Sequence, residues 1–180
     1  MQQINKAVEC VRQGGVIVYP TESVYGLGCD PFNRLACEKI MALKQRENKA
    51  GFICLLSSLQ HLNSLISPIR VIEYNKIKSS ELDHVSWILP AKADLPDWLK
   101  TSDNTICVRY SQHQVVKQLC DLLGQSIIST SANLQGQKSV ETIEQAKKVF
   151  GQKVDYYLDM PVGSNSSVST IRELCGRIIR

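Results

Sequence analysis

Val16-Ile17-Val18-Tyr19-Pro20-Thr21-Glu22-Ser23-Val24-Tyr25-Gly26-Leu27-Gly28 begins as an unbroken apolar run and changes at Pro20 into hydroxyls, a carboxylate and glycines. So short a run of branched and aromatic residues reads as a buried strand. From Pro20 to Pro31 the chain is rich in turn formers. Ligand contacts in α/β folds gather just beyond the carboxyl ends of strands. Thr21 therefore stands where a site hydroxyl would, and Gly26 and Gly28 permit close approach of backbone to a ligand. The glycine pair lacks the third glycine of a dinucleotide fingerprint, and an ordinary turn explains the spacing equally well.

Helix and strand patterns alternate on both sides of this stretch. Ile4, Ala7, Val8 and Val11 recur at helical spacing ahead of it, and Gly14-Gly15 stops that helix. Beyond it the pattern predicts a helix over 33–44 and a strand over 52–56. Ser58 and Ser67-Pro68 read as helix starts. Strands follow over 85–89 and 105–110, then a helix through Val115, Val116, Leu119 and Leu122 closed by Gly124. A strand over 126–129 leads to a helix that starts at Ser139 or Thr142 and ends at Phe150-Gly151. The tail reads as three short strands, over 154–158, 168–172 and 176–180. The alternation runs through all 180 residues without repeat or low-complexity linker. It predicts an α/β fold in one domain, 1–180. The closing strands predict a mixed sheet with antiparallel pairing near the end.

Apolar residues make up 43% of the chain and charged residues 21%, enough for a core and too apolar for disorder. The net charge of +4 comes with no run of like charge, so a phosphate-bearing small molecule fits better than a long polyanion. Seven scattered cysteines with apolar neighbours and no short Cys-x-x-Cys pair predict reduced, buried thiols. Three widely spaced histidines argue against zinc. The opening Met1-Gln2-Gln3-Ile4 carries no charged-then-apolar leader. No apolar run approaches the ~20 residues that span a bilayer. The expectation is a cytoplasmic protein with no membrane partner.

Four further stretches could carry chemistry. Lys44-Gln45-Arg46, with Lys49 behind it, is either a cationic helix end favoured by the helix dipole or a grip on a triphosphate. No Walker-type loop is present, so side chains and local amides would have to hold any phosphate. Ser129-Thr130-Ser131-Ala132-Asn133 sets three hydroxyls and an amide after apolar Ile127-Ile128, as a turn or as neutral hydrogen-bonding groups for a ligand. Thr105 and Arg109, four apart on one strand, share a face. An arginine in such an apolar strand needs an anion, either a structural partner or a ligand carboxylate. Ser169-Thr170-Ile171 follows a small polar loop, 163–167, and Arg180 ends the sequence.

Taken in order, Tyr-Pro-Thr-Glu-Ser-Val-Tyr-Gly-Leu-Gly, Lys-Gln-Arg, Thr-x-x-x-Arg, Ser-Thr-Ser-Ala-Asn and Ser-Thr-Ile closely resemble the YrdC/TsaC family over essentially the whole chain, in its short bacterial form. The resemblance implies a twisted mixed parallel and antiparallel sheet flanked by helices around a basic concave cavity. It implies synthesis of threonylcarbamoyl-AMP and pyrophosphate from L-threonine, bicarbonate and ATP, with magnesium accompanying ATP. The product would serve threonylcarbamoyladenosine modification of tRNA, with tRNA and tRNA-modification proteins as partners. By the same resemblance Thr21, Arg109, Ser129 and Ser169 hold threonine. Lys44, Arg46, Asn48, Thr105, Ser131, Ser139 and Arg180 hold the nucleotide, Lys44 and Arg46 being catalytic, and Asn133 braces its loop. Glu22 is a candidate for the magnesium.

Two features depart from the family pattern. Glu47 replaces a proline after Lys-x-Arg, with Lys49 one place early, and the Trp-Pro-Gly-Pro segment before the middle strand is missing, Leu82 to Ser86 standing near its place. A second reading is an RNA-binding module with vestigial catalysis, against which the modest charge and the lack of aromatic platforms count. A third is carbamoyl transfer in hydrogenase maturation, where related domains sit inside much larger chains.

Overall fold

A computed structural model describes residues 1–45, 52–79, 84–164 and 169–179. Helix α1 (Gln2–Arg12) leads into β1 (Ile17–Pro20) and β2 (Tyr25–Gly28). Then come α2 (Arg34–Lys44), β3 (Ile53–Leu56), a 3-10 turn (Leu59–Ser64), α3 (Val71–Ser79), β4 (Val85–Pro90) and β5 (Thr105–Tyr110). Helix α4 (Gln114–Leu123), β6 (Ile127–Ser131), α5 (Ile143–Phe150), β7 (Tyr156–Tyr157) and β8 (Thr170–Glu173) complete the order. The strands form an eight-stranded mixed sheet, β7-β1-β2-β6-β3-β5-β4-β8.

Local chemistry fixes the helix ends. Asn33 caps α2, its side chain accepting from the Ala36 amide at 3.1 Å, and Gln45 closes it in a left-handed conformation. Thr142 and Gln145 form a capping box at the start of α5, so Thr142 starts that helix and Ser139 lies ahead of it. Gly124 closes α4 at φ 72°.

Three expectations are corrected. The stretch from Pro20 to Pro31 contains a strand: β2 pairs antiparallel with β1 and places Tyr19 opposite Gly26. Its glycines hid it: Gly26 is tightly enclosed, and Gly28 stands where a side chain would collide. A Cβ at Gly28 would lie 2.5 Å from Tyr19 Cε1 and 2.8 Å from the Ile128 carbonyl oxygen. Ser67-Pro68 does not start a helix. The Ser67 hydroxyl donates to the Ala91 carbonyl at 3.1 Å, and α3 begins at Val71 after Glu73 accepts from the Arg70 amide. Among the described residues of the tail only Tyr156–Tyr157 and Thr170–Glu173 are strands, and both pair parallel, with β1 and β4. The antiparallel pairs lie inside the sheet, while residues 176–179 contribute an isolated bridge, Arg172 to Ile178.

The register sorts side chains onto two faces, since residues directly opposite share a face and neighbours along a strand alternate. On one face Val18, Leu27, Cys54, Leu56, Trp87, Val108 and Ile128 pack with Ala36, Ile40, Ile77, Ala146 and Phe150 of α2, α3 and α5. On the other, Ile17, Tyr19, Leu55 and Ile127 pack beneath Ala7, Val11, Val116 and Leu119 of α1 and α4. That second face turns polar farther along the same strands. Arg109 pairs with Leu55, Ser129 with Ile53 and Ser131 with Gly26.

Gly28→Ala should therefore overpack the β1–β2–β6 junction. A loss of about 1–3 kcal/mol is expected in urea unfolding, and wild-type stability would show that the junction is looser than described.

Candidate functional site

The polar part of the second face gathers residues from four strands. Thr21 follows β1, and its hydroxyl donates to the Val24 carbonyl at 2.7 Å, closing the turn that carries Glu22. Across Gly26 stand Thr21 and Ser129: a Cβ on that glycine would sit 3.4 Å from Thr21 Cγ2 and 3.3 Å from Ser129 Oγ. Gly26 thus lets a buried threonine and a buried serine approach one another. Ser169, at the start of β8, is buried and accepts from the Ser86 hydroxyl at 3.0 Å.

Arg109 meets its anion inside the protein. Its Nη2 donates to Glu22 Oε2 at 3.1 Å, with side chains 13% and 10% exposed. Ser111 Oγ donates to the other carboxylate oxygen. Burial pushes the Glu22 carboxyl up, but the Arg109 guanidinium, the Ser111 hydroxyl, a backbone amide and the nearby His84 together hold it below the usual carboxylate range. The Arg109 Nε–H is buried and has no hydrogen-bond partner among the described residues. Thr105 lies four residues back on the same face, about 13 Å away at ~3.3 Å per residue. Its hydroxyl is 2.7 Å from that of Thr101.

Lys44 reaches the site differently from the sequence expectation. It is 3% exposed, and its Nζ donates to the Ser131 carbonyl at 2.6 Å, the Asn133 carbonyl at 3.1 Å and Asn133 Oδ1 at 2.9 Å. Asn133 Oδ1 also accepts from Ser131 Oγ at 2.6 Å, and its Nδ2 donates to the Gln137 carbonyl at 2.5 Å. The ammonium therefore pins the turn after β6, and Asn133 braces that turn. Half-buried Ser139 precedes Val140, whose carbonyl accepts from the Tyr25 amide at 3.0 Å. Arg46, Asn48 and Arg180 lie outside the described residues, as do Glu47, Lys49 and Leu82 at the two departures.

The structure thus brings Thr21, Arg109, Ser129 and Ser131 onto one polar surface, with Lys44 and Asn133 bracing its edge. Glu22, which the sequence reading offered only as a candidate for the magnesium, belongs to the same surface, and Ser111, Ser86 and Gly163, which belong to it too, escaped that reading. Ser111 was within reach of it, because Thr105, Arg109 and Ser111 follow the same alternation. Gly163 was not. Its amide donates to the Thr21 carbonyl at 2.9 Å, and a Cβ there would stand 2.5 Å from the Glu22 carbonyl oxygen. A distant loop lying on the Glu22 backbone leaves no local pattern.

The family model for Sua5, YciO and YrdC, described as telomere recombination, matches residues 9–180. A Pseudoalteromonas translucida protein named threonylcarbamoyl-AMP synthase is 40% identical over 180 residues, which cover 98% of this chain and 96% of that one. The chain belongs to the Sua5/YciO/YrdC family. Among solved structures, E. coli YciO superposes with a TM-score of 0.85 at 29% identity, covering 99% of this chain and 88% of that one. Sua5 of P. abyssi, solved with L-threonine, gives a TM-score of 0.90 at 24% identity over 98% of this chain. This member of the family spans 53% of that longer protein, and the likeness carries the fold alone.

All seven cysteines of this family member are free, as the sequence predicts. Cys10 is only half-buried and Cys175 is exposed, which corrects the expectation that all are buried. Among the described residues no helix is long and apolar enough to cross a membrane, and no three His, Cys, Asp or Glu side chains group as metal ligands.

His113 borders the site, its Nδ1 buried without a hydrogen-bond partner among the described residues. Burial lowers its pKa, while the Glu22 charge pulls the other way. His61 is likewise lowered by burial, with Asp121 opposing. Below the ordinary histidine value of ~6.5 the unfolded chain takes up these protons before the folded one, so stability falls with falling pH. His113→Gln should flatten that slope below about pH 6.5 in urea unfolding; an unchanged slope would place the ring in water.

Proposed function

We infer that this chain converts L-threonine, bicarbonate and ATP into threonylcarbamoyl-AMP and pyrophosphate, the product for which its relative is named. The observation that carries this reading is the set of Thr21, Arg109, Ser129 and Ser131 on the polar half of one sheet face, in a chain aligned almost end to end with a synthase.

The chemistry asks little of acid–base groups. The threonine amine adds to carbon dioxide derived from bicarbonate and loses a proton, giving a carbamate. A carbamate oxygen attacks the α-phosphorus, and pyrophosphate leaves. Because the carbamate is already a nucleophile, the protein needs to align two anionic partners and to meet the charge that develops. Arg109 takes the amino-acid carboxylate through its unpaired Nε–H, with Thr21, Ser129 and Ser169 supplying hydroxyls around it. Thr105, Ser131 and Ser139 line the path toward the nucleotide. Lys44 stabilises the Ser131–Asn133 turn on which that path depends, and Arg46, Asn48 and Arg180 complete the phosphate grip. The roughly 13 Å between Arg109 and Thr105 suits an amino acid joined end to end with a nucleotide.

Magnesium enters as the counter-ion of ATP and so as part of the substrate. Both oxygens of Glu22 are engaged by Arg109 and Ser111, which suits a carboxylate of the site wall better than a metal ligand. The adenylate is reactive, so a downstream transfer to tRNA by partner proteins in the cytoplasm follows from the same reading. The family relationship favours the synthase over the RNA-binding alternative.

Purified protein with ATP, magnesium, bicarbonate and L-threonine should release pyrophosphate only when threonine is present, and mass spectrometry should detect the adenylate. Arg109→Ala should lower kcat/KM for L-threonine on the order of 10²-fold, with a much smaller effect on the KM for ATP. Turnover of carbamoyl phosphate without threonine, or salt-sensitive RNA binding without turnover, would overturn the reading.

A further inference from the structure

The reaction as written gives Glu22 no part, yet its side chain is among the most completely engaged at the site. It is buried, it meets Arg109 Nη2 and Ser111 Oγ with its two oxygens, and the Gly163 loop lies against its backbone. Burying a carboxylate is costly unless it is paired and hydrogen-bonded. Here the pairing uses one guanidinium nitrogen and leaves the adjacent Nε–H buried without a partner among the described residues. A buried donor on a charged group is normally satisfied. An arginine held rigidly by one nitrogen with another left bare is prepared for a second anion.

We propose that Glu22 is the positioning residue of the amino-acid pocket: it fixes the Arg109 guanidinium so that the Nε–H faces the carboxylate of the incoming amino acid. Ser111 takes part by orienting Glu22, and the Gly163 contact keeps the β1–β2 turn from drifting away from β5. The arrangement also accounts for the charge balance. Arg109 is shared between a permanent carboxylate and a transient one, and the permanent one prevents the guanidinium from turning to other acceptors while the pocket is empty. The assignment rests on the synthase reading for the identity of the second anion, but the fixing of Arg109 by Glu22 is a property of the ligand-free protein.

Glu22→Gln keeps the shape and removes the charge. The expected result is a rise of about tenfold or more in the KM for L-threonine, a smaller change in kcat, and an unchanged KM for ATP. A residue that only supported the fold would lower all rates together with the folded fraction. Ser111→Ala, which removes one support of Glu22, should shift the same constant in the same direction but less. In parallel, nitrogen-15 arginine NMR of the ligand-free protein should show a distinct, slowly exchanging Arg109 Nε–H in the wild type that merges with the exposed arginines in Glu22→Gln. Loss of that signal in a protein whose wild type does not use threonine would refute the synthase reading and leave the positioning role standing. Wild-type threonine KM and an undisturbed Arg109 signal in both variants would overturn the proposal. Should Glu22→Gln fail to fold, an unchanged KM and signal in Ser111→Ala would overturn it as well.

Discussion

The site depends on one constraint: along a strand, side chains alternate between faces, and on one face of this sheet the apolar cover stops part-way. Helices α1 and α4 bury Ile17, Tyr19, Leu55 and Ile127. One or two positions farther along in the register, the same face carries Ser129, Arg109 and Ser131. The opposite face carries apolar core at Val18, Leu27, Cys54, Val108, Ile128 and Trp87. A one-residue slip of β5 or β6 would send Arg109 or Ser129 into that core and bring Val108 or Ile128 out. The hydrophobic effect that sets the register is therefore also what assembles the polar surface.

Once the register is set, local bonds refine it. Lys44, at the end of α2, has its ammonium among oxygens of the turn after β6. A helix packed on one face of the sheet thereby holds a loop that serves the other. Asp155 acts similarly at the far edge, where it accepts from Lys39 of α2 at 2.6 and 2.7 Å and from the Val16 amide at 2.7 Å. Glu22, Arg109 and Ser111 tie the β1–β2 turn to the end of β5 across the site itself.

Much of this was legible in the residues. The helix over 33–44, the strand over 105–110 and the shared face of Thr105 and Arg109 follow from spacing, and the structure has them. The expected anion for Arg109 is present too, as Glu22. What was not legible depends on contacts distant in the chain. β2 reads as a turn because its two glycines answer to Tyr19, Ser129 and Ile128, residues that only folding brings near. The parallel pairing of β7 and β8 with β1 and β4 is set by where the helices deliver the chain, and strand-like composition does not encode direction. In sequence Lys44 is either a helix-end cation or a phosphate grip, and its burial against the turn at Ser131–Asn133 comes only with the fold.

Amide hydrogen exchange with and without L-threonine and a non-hydrolysable ATP analogue tests the half-covered face most directly. Protection should rise together at residues 20–24, 105–111 and 129–133, with the α2, α3 and α5 side of the sheet unaffected. Protection confined to that opposite side would contradict the account.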